Sequence, residues 1–185
     1  SIDKEAGLER VRLGSRLKSA LAALECPLVC AVNGVAVGSG MEMAALADYC
    51  IASGTARFGM PEINHGLLPM AKGIQQLVLR IGLQATKEVL FSGEVFDAQR
   101  ALELGLVDRV VAPGELADEA DRWVSEMAGK QPQLFRALKR TVIRSPSLTD
   151  QELEEMTESD FLTYFRTSEA AASLRTVVGT HGQGG

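Results

Sequence analysis

The chain has 185 residues, enough for one ordinary domain with its own hydrophobic core. Hydrophobic residues make up 46% and charged residues 23%, which is typical of a soluble globular protein. The net charge of -5 argues against a broad basic face, so nucleic acid is not an expected partner. No apolar run is long enough for a membrane span, and no signal peptide is visible, so we expect no membrane association.

The chain contains three cysteines, Cys26, Cys30 and Cys50, each beside apolar residues. Their odd number and the absence of a spaced framework predict reduced, buried thiols in the cytoplasm. Their spacing, and the presence of only two histidines, predict no metal site.

Hydrophobic periodicity and turn signals predict a first amphipathic helix over 4–25, with Leu8, Val11, Leu17, Leu21 and Leu24 as its apolar positions. Short apolar runs predict strands over 28–32, 35–37, 49–52 and 106–111, with a loop over 53–68. Further helices are expected over 41–47, 72–81, 83–91, 98–104, 115–129, 131–144 and 149–172. Asp97 is the predicted N-cap of the helix over 98–104, and Thr149 with Glu152 forms a predicted capping box.

The order of these elements predicts an α/β core followed by an α-helical region. We expect the core over 1–112, the helical region over 113–178 and a disordered, glycine-rich tail over 179–185. Four strands are few for a complete α/β domain, and the chain begins with Ser1. We therefore expect it to continue upstream as a longer protein.

The turn Gly38-Ser39-Gly40 leads from a strand into a helix, and Glu42 lies in the first turn of that helix. The first N–H groups of a helix have no partners within it, and the helix dipole makes this end electropositive. Such a position suits a developing oxyanion. Taken alone, however, the turn is explained by tight packing and Glu42 by a favourable interaction with the dipole.

A second carboxylate, Glu62, follows Pro61 in the predicted loop. Desolvation would raise the pKa of a carboxyl group in such an apolar loop. Two carboxyl groups in one cavity would have different pKa values, so that one could act as an acid while the other acts as a base. A solvated loop charge is the alternative explanation for Glu62 alone.

Read together, these segments resemble the enoyl-CoA hydratase/isomerase (crotonase) family. The resemblance is carried by PLVCAVNGVAVGSGMEMAALAD (27–48), ARFGMPEINHGLLP (56–69), FSGEVFDAQRALELGLVDRVV (91–111) and a C-terminal helix over 132–143. It implies a crotonase-like ββα spiral core, with its N-terminal part upstream of Ser1, and a C-terminal α-helical region.

The resemblance also implies site residues. The backbone N–H of Ser39 would be one of two oxyanion-hole donors, and Glu62 would transfer a proton at the substrate α-carbon. Glu42 would hold and activate water. The substrate pocket would include Gly38, Gly40, Pro61 and Met70. The implied reaction is that of a lyase, which hydrates a 2-enoyl-CoA to a 3-hydroxyacyl-CoA. Coenzyme A enters as part of the substrate, with no separate cofactor.

Three departures from the family pattern keep other functions open. The second oxyanion donor lies upstream of Ser1, Met70 replaces a glycine that often contacts the catalytic water, and the basic C-terminal end of the family is missing. Isomerisation or decarboxylation of an acyl thioester is one alternative, and a non-catalytic acyl-CoA-binding or assembly subunit is another. The resemblance further implies a homotrimer or hexamer.

Overall fold

The structure is a computed structural model that describes residues 4–69, 71–167 and 170. The helices in these ranges are α1 (Lys4–Ala22), α2 (Ser39–Leu46), α3 (Ala71–Ser92), α4 (Ala98–Glu103), α5 (Leu116–Ala128), α6 (Pro132–Arg144) and α7 (Asp150–Phe165). The strands are β1 (Val29–Val32), β2 (Val35–Val37), β3 (Tyr49–Ser53), β4 (Arg57–Gly59), β5 (Val95–Asp97) and β6 (Arg109–Val111). Short 3₁₀ helices lie at Pro61–His65, Pro113–Glu115 and Ser145–Ser147.

The described strands form two small three-stranded sheets. One sheet has the order β1-β3-β6 with parallel neighbours, and the other has the order β2-β4-β5. In the second sheet β2 and β4 are parallel, whereas β4 and β5 are antiparallel. Strands β1 to β4 thus alternate between the two sheets, α2 follows the first pair and α3 the second, and α4 lies between β5 and β6, which confirms the predicted α/β core.

The hydrophobic core lies between the sheets and helices α2 and α3. Its largest buried apolar side chains come from β3, β4, α2, α3 and the segment after α4; they include Ile51, Phe58, Met41, Leu77 and Leu106. Because α2 is short and contributes small residues such as Ala44 and Ala45, α3 packs closely against it. This packing brings the start of α3 next to the first turn of α2.

Helix α1 is present as predicted, but it buries a different face from the one its leucines suggest. Leu8, Val11, Leu17 and Leu24 are exposed. The face that packs inward carries Gly14, Ser15, Lys18, Leu21 and Ala22, of which Lys18 is only 3% exposed. Helix α1 packs against α2 and α3, and the Lys18 side chain reaches from α1 to Glu42 of α2.

The segment 53–68, predicted as a loop, contains strand β4 and the 3₁₀ helix Pro61–His65. Strand β5 was also missed. The two helices predicted over 72–81 and 83–91 form one element, α3, which is interrupted at Gly82 with φ 79°. The predicted N-cap of α4 is confirmed, since the Asp97 side chain accepts a hydrogen bond from the Arg100 N–H at 2.9 Å.

The cysteines do not all lie in the core. Cys50 is buried and Cys30 is half-buried, but Cys26 is exposed because it lies in the connection after α1, so the prediction of burial is wrong there. Cys30 and Cys50 are register partners on β1 and β3. The hydrogen bond between their thiols lowers the pKa of Cys30, and the same bond together with burial raises the pKa of Cys50.

The chain divides into two compact units, 1–127 and 128–185. In the second unit α6 packs with α7, and Arg140 forms an ion pair with Asp160. The capping box predicted at the start of α7 is confirmed, because the Thr149 side chain accepts from the Glu152 N–H and the Glu152 side chain accepts from the Thr149 N–H. The domain limits derived from the sequence remain a prediction, and the predicted tail over 179–185 lies outside the described residues.

None of the helices in the described part of the chain combines the length and the apolarity needed to cross a lipid bilayer.

Candidate active site

The candidate site begins at the sharp turn between β2 and α2. Pairing of β2 with β4 continues one residue beyond β2, since the Gly38 N–H donates to the Gly59 carbonyl at 2.9 Å. The backbone of Gly38 then turns with φ 54°, a conformation that favours glycine. The N–H groups of Ser39 and Gly40 follow in the first turn of α2, where a helix has no partners for them. Ser39 is exposed and Gly40 is half-buried.

Glu42 lies in the first turn of α2 and is only 2% exposed, so its carboxylate lies inside the protein. The Glu42 N–H donates to the Gly38 carbonyl at 3.0 Å, which ties Glu42 to the turn.

Two neighbours hold the Glu42 carboxylate in place. The Lys18 ammonium of α1 donates to Glu42 Oε2 and forms an ion pair with it. Oε1 lies over the backbone of Gly73 in α3, where a Cβ atom would overlap the carboxylate. Residue 73 must therefore lack a side chain for Glu42 to occupy this position. Helices α1, α2 and α3 thus meet around one carboxylate.

Glu62 is carried by the 3₁₀ helix Pro61–His65, which directly follows β4. Because β2 and β4 are parallel, their carboxyl ends lie at the same edge of the sheet, so this turn lies beside the turn at Gly38. Asn64 anchors the turn to the end of α3, since its side-chain amide donates to the Gly93 carbonyl at 2.9 Å. The Leu67 N–H donates to the Glu62 carbonyl at 3.0 Å and closes the turn.

The Glu62 carboxylate points to the start of α2. Its Oε1 lies 2.5 Å from the position that a Cβ of Gly38 would take. Its Oε2 is buried and has no hydrogen-bond partner among the residues that the structure describes. A buried carboxylate oxygen without a partner is costly and rare in proteins, and such groups concentrate where a ligand or a proton is handled.

The structure therefore brings most of the predicted site residues together at one end of α2. Gly38, Ser39 and Gly40 form the turn, Glu42 follows within the helix, and Glu62 reaches Gly38 from the neighbouring strand. Pro61 begins the 3₁₀ helix that carries Glu62. The remaining predicted pocket residue, Met70, lies outside the described residues.

Two neighbours of Glu42 were missed in the sequence. Neither Lys18, in the predicted first helix, nor Gly73, in the helix predicted over 72–81, was identified there as a site residue. A possible signal for Lys18 is its place on the small-residue face of α1, with Gly14 and Ser15 one turn before it and Ala22 one turn after.

The model of the family described as enoyl-CoA hydratase/isomerase matches residues 11–178. The chain belongs to the enoyl-CoA hydratase/isomerase family, as its sequence motifs indicate.

Individual relatives cover much of the chain. A short-chain-enoyl-CoA hydratase of Clostridium acetobutylicum is 36% identical over 132 residues, which are 71% of this chain and 51% of that protein. A crotonyl-CoA hydratase of Syntrophomonas wolfei is 34% identical over 148 residues, covering 80% of this chain and 56% of the relative. The chain thus spans about half the length of the curated relatives it matches.

Solved structures confirm the crotonase-like fold. The crystal structure of an enoyl-CoA hydratase from Bacillus anthracis matches with a TM-score of 0.91 at 25% identity, covering 97% of this chain and 70% of that chain. An enoyl-CoA hydratase subunit from Geobacillus kaustophilus matches with a TM-score of 0.87 at 30% identity, covering 97% of this chain and 72% of the other.

Proposed function

We propose that this chain carries the acid/base part of an enoyl-CoA hydratase, which adds water to a 2-enoyl-CoA to give a 3-hydroxyacyl-CoA. The observation that carries the proposal is the placement of two carboxylates at the start of α2. Glu42 is buried in the first turn, and Glu62 lies against Gly38 with one unpartnered buried oxygen. The hydratase names of the relatives support the same reaction.

In this reaction the water oxygen bonds to C3 of the enoyl group, and Glu42 accepts a proton from that water. The electron pair of the double bond moves towards the thioester, whose oxygen becomes an enolate oxyanion. The N–H of Ser39 would stabilise this charge, which develops only near the transition state. Glu62 then delivers a proton to C2. After product release Glu42 gives its proton to solvent and Glu62 takes one up from solvent, which returns both groups to their starting states.

The proposal assigns the remaining residues to substrate contact. Gly38 and Gly40 keep the turn free of side chains where the thioester would lie, and Pro61 positions the Glu62 turn. Met70 is proposed to border the acyl group. Because water and the enoyl thioester supply every atom of the product, hydration requires no separate cofactor, and coenzyme A is part of the substrate.

The direct test is the absorbance of crotonyl-CoA mixed with the intact protein, including any residues that precede Ser1. Hydration removes the conjugated double bond, so we expect the absorbance to fall with each turnover, together with formation of 3-hydroxybutyryl-CoA. Conversion of a 3-enoyl or a carboxylated thioester, without hydration, would contradict the proposal and identify an isomerase or a decarboxylase. Binding of acyl-CoA without turnover would identify a non-catalytic subunit.

We further propose that the protein forms a homotrimer or hexamer. The C-terminal unit supports this proposal, because several large apolar side chains of α6 and α7 are exposed on the single chain; they include Leu138, Val142 and Phe161. Such side chains are typical of surfaces that are buried on association. Sedimentation equilibrium of the intact protein should give three or six times the mass of its polypeptide, and a monomer would contradict this proposal.

A further inference from the structure

Lys18 is a cation inside the candidate site that the proposed reaction does not use. It is 3% exposed, although lysine is rarely buried without a partner. Its Nζ donates to Glu42 Oε2, and this ion pair joins α1 to α2. A buried ammonium beside a buried carboxylate needs that partner, because each charge alone would be costly to desolvate.

We propose that Lys18 is a positioning residue, which holds Glu42 turned so that Oε1 is the oxygen left to handle water. The inference rests on the proposed function, in which Glu42 accepts a proton from water. Lys18 binds Oε2, and the absence of a side chain at Gly73 leaves room for Oε1. The two contacts fix the rotation of the carboxylate about its last bond.

Lys18 is the charged group that the described structure places in contact with the Glu42 carboxylate. Without it, Glu42 would be a buried carboxylate with no cationic neighbour, and Oε2 would lose the contact that fixes its position.

Helix α3 and strands β1 and β2 also pack against α2, and their ionisable groups have other positions or partners. On α3, Lys72 precedes Gly73, and Arg80 donates to the Ala47 carbonyl at the far end of α2 and pairs with Asp108. On β1, the Cys30 thiol forms a hydrogen bond with the Cys50 thiol, and β2 carries no ionisable side chain.

The test is a double-mutant cycle in the intact protein, with crotonyl-CoA as the substrate. Lys18→Met is expected to lower kcat by about tenfold to a hundredfold while KM changes little, because the effect lies in proton transfer. In the Glu42→Gln background the same substitution should change kcat less than about twofold, since Lys18 acts through Glu42.

Three further variants complete the design. Lys18→Arg keeps the positive charge and should retain more activity than Lys18→Met. Lys18→Gln keeps a hydrogen-bond donor without the charge, and it provides the kcat comparison where Lys18→Met does not fold. Arg80→Met removes an ion pair outside the site and should lower stability without lowering kcat.

The outcomes separate the inference from the function on which it rests. If Glu42→Gln abolishes hydration but neither Lys18→Met nor Lys18→Gln lowers kcat, Lys18 is not a positioning residue. Equal losses from Lys18→Met in both backgrounds would indicate a purely structural role and overturn the inference as well. If Glu42→Gln leaves hydration intact, the proposed role of Glu42 is wrong, and the inference about Lys18 is then wrong as well.

Discussion

Glu62→Gln is expected to lower kcat for crotonyl-CoA hydration by about 10²–10⁴-fold, with little change in KM, because the amide cannot transfer a proton. The substitution preserves the size of the side chain, so the contact with Gly38 is retained. In the variant an amide NH2 takes the place of one of the two carboxylate oxygens, beside or at the unpartnered Oε2. The loss of kcat therefore reports on proton transfer rather than on packing. Steady-state kinetics of the intact protein provide the measurement.

Glu94→Gln is the matched control for this prediction. Glu94 is exposed, so the same change of charge at this position should leave kcat unaltered. Wild-type turnover by Glu62→Gln would contradict the assignment of Glu62. A comparable loss in both variants would attribute the effect to net charge and not to the site.

Gly73→Ala is expected to lower kcat by about 10²-fold, because a small displacement of a catalytic group has an effect of this size. A Cβ at residue 73 would overlap the carboxylate of Glu42, so that side chain must move. Alanine is a better helix former than glycine, and α3 itself should therefore tolerate the change. The expected signature is a folded protein with low kcat, measured by circular dichroism and crotonyl-CoA kinetics.

Gly7→Ala offers the same substitution without the contact. Gly7 lies in α1, and a Cβ there would meet no atom within 4 Å. We expect this variant to keep its activity and to gain about 0.5–1 kcal/mol of stability, from the better helix propensity of alanine. If Gly73→Ala behaves like Gly7→Ala, the position of Glu42 over Gly73 does not matter to catalysis.

The parts of the fold that depend on local sequence were predicted well. The turn Gly38-Ser39-Gly40 and the helix after it are where the sequence indicates, since small residues and the first helical turn act within a few positions. The cap at Asp97 and the capping box at Thr149 are correct for the same reason. Glu42 was therefore placed at a helix start from sequence alone.

Features that depend on distant pairing were missed or left open. Strands β4 (Arg57–Gly59) and β5 (Val95–Asp97) are too short to show alternation, and each is recognisable only by its partner. The approach of Glu62 to Gly38 follows from the parallel pairing of β2 and β4, which periodicity does not reveal.

Lys18 illustrates a second limit. A lysine among exposed helix positions is normally solvated, and the leucines of α1 indicated a different inner face. Its burial depends on the approach of α1 to α2 and on the presence of a buried carboxylate to receive it. Neither condition is local to α1, so only the three-dimensional structure brings Lys18 into the site.

The central claim is that Glu42 and Glu62 act together in one hydration reaction. The measurement that tests it most directly is kcat for crotonyl-CoA hydration by Glu42→Gln, Glu62→Gln and the double variant, each in the intact protein. We predict that each single substitution lowers kcat by about 10²-fold or more, and that the double variant loses far less than the product of the two effects. Hydration at the wild-type rate by both single variants would contradict the claim.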